Sequence, residues 1–333
     1  MNTKVTALVL AAGKGTRMKS GKAKVLHEIF FSPMVHHVLE AVFPLKLTDI
    51  IVITGHQKEA VEEALQGYKV RFVQQNEQLG TGHAVKCTAP YFEGKEVTVL
   101  ILCGDTPLMR TETLSKMLQN HCAKNAELTV MTTMLDDPTN YGRAVVDSDG
   151  FLLRIVEEKD AADTERDIKE INAGIYCVAS KLLFALLNQV GTENKQGEMY
   201  LTDIVEEANK HGSKVNRYVC PDAREVLGVN SRVELAEAHR ELQKRRNREL
   251  MLSGVTILHP ESTFIEKSVI IGSDSIIHPN THISGQTRIG EQCIIGPNVM
   301  LHDCHVADNA TVSAFQALQG AVIEAGNRFG SSV

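Results

Sequence analysis

The chain has 333 residues, 43% of them hydrophobic, which at a norm of roughly 150 residues per domain suggests about two domains with their own cores and excludes disorder as the main state. With 35 Lys and Arg against 41 Asp and Glu, the formal net charge of −6 excludes a chain whose main business is gripping nucleic acid, while a small polyanion needs only a local basic pocket. The seven cysteines form no CxxC pair and make a poor disulfide framework, so a reducing compartment is expected.

The first apolar run, Val5 to Ala12 behind Lys4, has the look of a signal-peptide core. The glycine-rich basic loop that follows reads better as the end of a buried strand feeding a phosphate site. No window approaches the ~20 apolar residues of a membrane span, and a cytoplasmic protein with no membrane contact is expected. From here to about residue 228, short β-branched runs alternate with amphipathic stretches, the pattern of an α/β fold around a Rossmann-like, mostly parallel sheet. Strands are expected over Val5–Leu10, Asp49–Thr54, Val70–Gln74, Val97–Cys103, Glu127–Met134 and Gly174–Val178. Helices are expected over Met34–Val42, Lys58–Leu65, Gly82–Thr88, Thr111–His121, Lys181–Asn188 and Leu201–Lys210. Ligands of such a sheet bind at its strand-to-helix loops.

Three loops carry chemistry. Leu10-Ala11-Ala12-Gly13-Lys14-Gly15-Thr16-Arg17-Met18 exposes backbone N–H groups after a strand, and Arg17 with the downstream Lys24 can neutralise phosphate oxygens. It lacks the Walker A spacing, and Met18 stands where a Rossmann fingerprint needs its third glycine. In Gln75 to Ala84 a strand ends in amides, and Gly80 and Gly82 flank Thr81; side-chain amides can read a base edge, and Gly80 permits close approach. In Leu102-Cys103-Gly104-Asp105-Thr106-Pro107 an Asp leaves the end of a buried strand, where it suits a phosphate-bridging Mg²⁺; capping a helix after Pro107 is the competing role.

Residues 231–250 contain no Gly or Pro and read as a connecting helix with a narrow stripe of Leu235, Ala238 and Leu242. Its basic end, Lys244-Arg245-Arg246, suits a helix C-terminus better than nucleic acid. Beyond it Ile265, Ile271, Ile277, Ile283, Ile289, Ile295 and Leu301 recur every six residues, with Val269, Ser275, Thr281, Thr287, Cys293 and Val299 in a second phase. Period six is the hexapeptide signature of a short left-handed parallel β-helix. It fails at Ala307, Ser313 and Gln319, so two to three regular coils and an irregular cap are expected. The domains are then 1–231 for the sheet, 232–252 for the helix and 253–333 for the β-helix.

LAAGKGTRM with Lys-Val-Leu-His downstream, then EQLGTGHA, GDTPL, PTNYGR, IVEEKDA, EINAGIY and GVNSR, in that order, closely resemble the N-acetylglucosamine-1-phosphate uridylyltransferases of the sugar nucleotidyltransferase family. The resemblance implies that Leu10, Ala11, Ala12 and Gly13, with the catalytic Arg17 and Lys24, hold UTP phosphates. It places Gln75, Gly80 and Thr81 on the uracil nucleoside and the catalytic Asp105 with Asn230 on Mg²⁺. Cys103 and Gly104 contribute backbone contacts, and Gly142, Glu157 and Asn172 face N-acetylglucosamine 1-phosphate. Ala23 stands where the family usually has Pro, and Cys103 where Tyr is frequent. In resembling bifunctional proteins later β-helix coils carry an acetyltransferase site; those segments are not in these residues, and that activity is not expected. His302, Asp303, Cys304 and His305 are the one cluster that an acyltransferase or metal reading could use. Homo-trimers through the β-helix are implied. Another hexose 1-phosphate as substrate, or a non-catalytic assembly subunit, are the alternatives.

Overall fold

The structure, a computed structural model, describes residues 4–330 and divides into two units: residues up to His27 with Pro33–Glu234, and Leu235 onward with the short excursion Glu28–Ser32. In the first unit one sheet contains β1 (Val5–Ala11), β2 (Asp49–Thr54), β3 (Arg71–Gln74), β4 (Thr98–Cys103), β5 (Leu128–Met134), β6 (Arg143–Val146), β7 (Leu152–Val156), β8 (Glu170–Ala179) and β9 (Asn216–Val219). The order is β9-β5-β8-β4-β1-β2-β3, with β6 on β8 and β7 on β6. The helices are α1 (Met34–Val42), α2 (Lys58–Ala64), α3 (Thr81–Lys86), α4 (Thr111–Ala123), α5 (Ser180–Leu187) and α6 (Asp203–Lys210), with a single turn at Asp163–Arg166.

Central strands read as continuous apolar runs because both faces are covered. Ala7 and Val9 pack with Val35, Val38 and Leu39 of α1, while Leu8 faces the opposite layer with Val85, Leu183 and Ile204. Full burial of each such aliphatic contributes about 1.5–3 kcal/mol. β1 runs parallel to both β2 and β4, with Leu10 opposite Cys103 at the strand ends. The connections from β1 go one way to β2 and β3, and β4 lies on its other side, so the loops after β1 and β4 diverge around a crevice.

The sheet is less regular than its sequence pattern. β8 lies antiparallel between β4 and β5. It begins at Glu170, ahead of the expected Gly174, because Gly174 lies within the strand at φ +72, where the register slips between Asn172 and Tyr176. A left-handed glycine reads as a turn in sequence and is an irregularity of the ladder here. The hairpin β6–β7 and the edge strand β9 are additional to the expected strands; the arginines 143 and 154 break the alternation that announces a strand.

In the second unit strands of two or three residues stack in parallel into sheets of five, four and four, a parallel β-helix. Its inward rows are Ile257, Ile277, Ile295 and Val312, continued in register by the exposed Phe329; Ile265, Ile283, Leu301 and Leu318; and Ile271, Ile289, Val306 and Ile323. The expected irregular cap from Ala307 is therefore a regular coil. The chain drops one residue at the Asp303 corner, so the inward position falls on Val306 rather than Ala307, on Val312 rather than Ser313, and on Leu318 rather than Gln319. Buried hydroxyls of the second phase are satisfied by backbone: Ser275 donates to Gly290 O at 2.8 Å and Thr287 to Ser284 O at 2.6 Å.

The long helix α7 (Arg232–Leu252) docks within this unit by amides more than by the expected apolar stripe. Gln243 Nε2 donates to the carbonyls of Glu261 and Thr263 at 3.0 and 2.9 Å, and Asn247 Nδ2 to Pro260 O at 2.8 Å. Its basic end is ion-paired, Arg245 with Glu241 and Arg246 with Glu249.

Candidate active site

The loop after β1 is shaped by what lies beneath it. Gly15 has φ +62, and a Cβ there would fall 2.5 Å from Lys24 Cβ, so only glycine lets Lys24 pass under the loop. A Cβ on Gly13, by contrast, would meet nothing within 4 Å. Gly104 N donates to Leu10 O at 2.9 Å, and a Cβ on Gly104 would sit 2.9 Å from the same oxygen, which laces the β4 loop to the β1 loop. Val229 N donates to Asp105 O at 2.8 Å. Next to it, the N–H groups of Asn230 and Ser231 both donate to Glu234 Oε2, at 2.6 and 2.7 Å.

Asp105 and Asn230 are thereby brought to one atom. Lys24 Nζ pairs with Asp105 Oδ2 and donates to Asn230 Oδ1 at 2.9 Å; Arg17 Nη2 donates to that same amide oxygen at 2.9 Å. The capping alternative for Asp105 is overturned, because α4 starts only at Thr111 and Arg110 occupies the cap position. A carboxylate and an amide oxygen converging on a cationic atom are hard donors that fit Mg²⁺, an ion that takes few protein ligands and completes its shell with water and phosphate. Among the described residues no group of three or more His, Cys, Asp or Glu offers a fuller metal site.

Lys24 and Asp105 open onto a cavity of about 520 Å³ whose lining also includes Leu10, Ala11, Ala12, Gly13, Gln75, Gly80, Thr81 and Cys103; Arg17 and Asn230 lie outside that lining, Asn230 bonded to Lys24 and Arg17 to Asn230. Gln75 is buried and spends Nε2 on Gly80 O at 3.0 Å and His83 Nδ1 at 3.1 Å. Gly80 has φ +112, and a Cβ there would meet Met199 O at 2.4 Å. The hydroxyl of Thr81 accepts from Leu201 N at 3.0 Å, so the segment 199–201 clamps the amide-bearing loop.

Gly142, Glu157 and Asn172 form a second group. Asn172 N donates to Gly142 O at 2.8 Å, and a Cβ on Gly142 would lie 3.5 Å from the Glu157 carboxylate. Glu157 accepts from Thr202 Oγ1 at 3.2 Å; burial raises its carboxyl above the usual range, against the pull of that hydroxyl. The Asn172 amide is engaged in its own strand, accepting from Gly174 N and donating to Tyr176 Oη, both at 3.0 Å. Cys103 joins the two groups, since a Cβ on Gly174 would fall 2.9 Å from its sulfur. Burial, with Asp105 second, pushes the Cys103 thiol up to about 12, which keeps it neutral.

Comparison with known proteins places the two units in families. The nucleotidyl transferase family profile matches residues 6–226, and the bacterial transferase hexapeptide profile (six repeats) matches residues 268–303. The chain belongs to the nucleotidyl transferase family. It is a homologue of bifunctional protein GlmU: 46% identical to that of Geotalea uraniireducens over 320 residues, 96% of this chain and 70% of the relative. Against bifunctional protein GlmU of Desulfotalea psychrophila the identity is 48% over 318 residues, covering 96% of this chain and 94% of the relative.

Within this nucleotidyl transferase, three site neighbours lie outside the motif-based reading. Tyr141 stands near Asp105 and Arg17; burial, then Glu234 and Asp105, push its phenol up to about 12. Glu198 lines the 520 Å³ cavity, and Thr202 touches Glu157. Tyr141 lies inside the quoted PTNYGR, so a signal existed; Glu198 and Thr202 sit in a loop with no pattern to announce them. The cluster in the β-helix disperses: Cys304 is buried in the coil, whereas His302 Nδ1 meets Ser284 Oγ at 3.0 Å and His302 Nε2 meets Asp303 at 3.1 Å.

Proposed function

We propose that the chain is a Mg²⁺-dependent uridylyltransferase that joins UTP to N-acetylglucosamine 1-phosphate, yielding UDP-N-acetylglucosamine and pyrophosphate. The observation that carries this reading is the bonded set Asp105, Lys24, Asn230 and Arg17, of which Lys24 and Asp105 line a cavity shared with the loop after β1 and with Gln75. A phosphate oxygen of the sugar attacks the α-phosphorus of UTP; the bond to the bridging oxygen breaks, and pyrophosphate departs with the electron pair. Such a transfer requires alignment and charge neutralisation more than a covalent partner from the protein. Arg17 and Lys24 hold the triphosphate against the N–H groups of residues 10–13, Gln75, Gly80 and Thr81 position the base, and Gly142, Glu157 and Asn172 hold the sugar. Bound to Asp105 and Asn230, magnesium supplies Lewis-acid neutralisation of phosphate oxygens.

The seven free thiols support a reducing, cytoplasmic location. Among the described residues no helix is long and apolar enough to cross a membrane. Outward apolar side chains on the β-helix, Ile270, Ile294, Met300 and Val322, support self-association as a trimer, which sedimentation would read as three times the chain mass. The deciding assay follows pyrophosphate release from UTP and Mg²⁺ with a panel of sugar 1-phosphates. Release that needs the ion and prefers N-acetylglucosamine 1-phosphate to glucose 1-phosphate is expected; no ion-dependent consumption of UTP with any sugar phosphate overturns the reading.

A further inference from the structure

The largest fully buried side chain of the protein is a cation. Arg143 is 2% exposed and heads β6. An arginine in such a place is costly unless its donors are met, and removing a partner from a buried pair leaves an uncompensated charge. Its partners explain its position. Nη1 donates to Tyr141 O, Nη2 pairs with Glu158 Oε2 at 2.7 Å, and Nε donates to Arg166 O at 3.3 Å. In the ladder Arg143 lies opposite Val156 on one side and Ile171 on the other.

Apart from Arg166, each contact is one residue away from a member of the sugar group. Tyr141 precedes Gly142, Val156 and Glu158 bracket Glu157, and Ile171 precedes Asn172. The two adjacent acids have different partners. Glu158 is held by Arg143 and by Asn140 N at 3.3 Å, whereas Glu157 is directed to Thr202 and Gly142.

We propose that Arg143 is a positioning residue for the sugar phosphate: from beneath the site it locks the Tyr141–Gly142 turn to Glu158, and so fixes Gly142, Glu157 and Asn172 relative to one another without touching substrate. The proposal rests on the functional reading above. A planar fork with five donors reaches three separate acceptors, which the single ammonium of lysine cannot reproduce in the same geometry.

The test measures KM for each substrate and kcat in wild type, Arg143→Lys, Arg143→Met and Glu158→Gln, with calorimetric UTP binding and thermal unfolding alongside. Since misplacement of a binding group by about 1 Å costs up to roughly 100-fold, Arg143→Met is expected to raise the sugar-phosphate KM by roughly 10- to 100-fold. UTP affinity stays within about twofold, because the nucleotide groups hang on other loops. Arg143→Lys recovers part of the loss, and Glu158→Gln moves the same KM in the same direction by less. Should Arg143→Met fail to fold, Glu158→Gln, at the half-exposed end of the pair, carries the same comparison. An unchanged sugar-phosphate KM in the folded variants, or equal loss of both substrates, overturns the proposal alone. Absence of turnover by wild type overturns the functional reading and the proposal with it.

Discussion

The two units use left-handed backbone in opposite ways. In the sheet unit, Gly15 and Gly80 are individual solutions, each set by one crossing segment, Lys24 in the first case and Met199 in the second. In the β-helix the same conformation recurs from corner to corner, at Asp274, Asn280, Gly285, Gln292, Asn298, Asp303, Asn309, Phe315 and Gly320. The repeat tolerates polar residues at these corners, since Asn and Asp visit this region more readily than most. The difference teaches where consequence concentrates. A coil touches only its neighbours, so its stability is a sum of similar terms, whereas the crevice between β1 and β4 depends on a few side chains that no other residue duplicates.

The largest effect that would sharpen this contrast is Asp105→Ala. Losing the carboxylate that pairs with Lys24, the ammonium it shares with Asn230, should lower turnover by at least ~10³-fold while circular dichroism stays that of wild type. Turnover close to wild type would break the assignment. Ile295→Ala makes the complementary cut. This side chain is fully buried in the β-helix, and its truncation should cost about 2–5 kcal/mol, seen as earlier thermal unfolding, with kcat/KM near wild type. Equal damage to catalysis would mean that the two units are not energetically separable.

The smallest effect concerns Glu157→Gln. Burial raises the folded carboxyl above its ordinary 4.5, so the folded state binds that proton more tightly than the unfolded chain does. Wild type therefore loses stability as pH rises from the ordinary carboxylate value through the raised one, and the amide variant does not. Glu157→Gln should melt higher than wild type at pH 8, converge with it at low pH, and bind the sugar phosphate less well. A melting difference independent of pH would show that Glu157 is not penalised by burial.

Much was legible because the signals are local. α1 spans Met34–Val42 as its spacing predicts, and β1 and β4 follow their apolar runs to within a residue of the expected bounds. Gly13, Lys24, Gln75, Gly80, Thr81, Cys103 and Asp105 were named from short motifs, and they line one cavity. The β6–β7 hairpin was hidden because its first residue is a buried arginine, and period-two alternation counts an arginine as outward-facing. The last coils were hidden because one residue is omitted at the Asp303 corner and another at the Gly320 corner, each shifting the inward phase, and a fixed period of six cannot follow such shifts.

Periodicity and glycine placement act over a few residues, and through them the sequence by itself determined the α/β layers, the hexapeptide coils and the glycine-rich turn after β1. Tertiary structure alone decided the rest. It set β8 antiparallel between β4 and β5, brought Asn230 to Asp105 through the Val229 backbone bond, and paired Glu158 with a buried guanidinium while Glu157 met Thr202. Each of these rests on partners far apart in the chain, and the cost of leaving a buried charge or carbonyl unpaired arises only once the chain has closed around it.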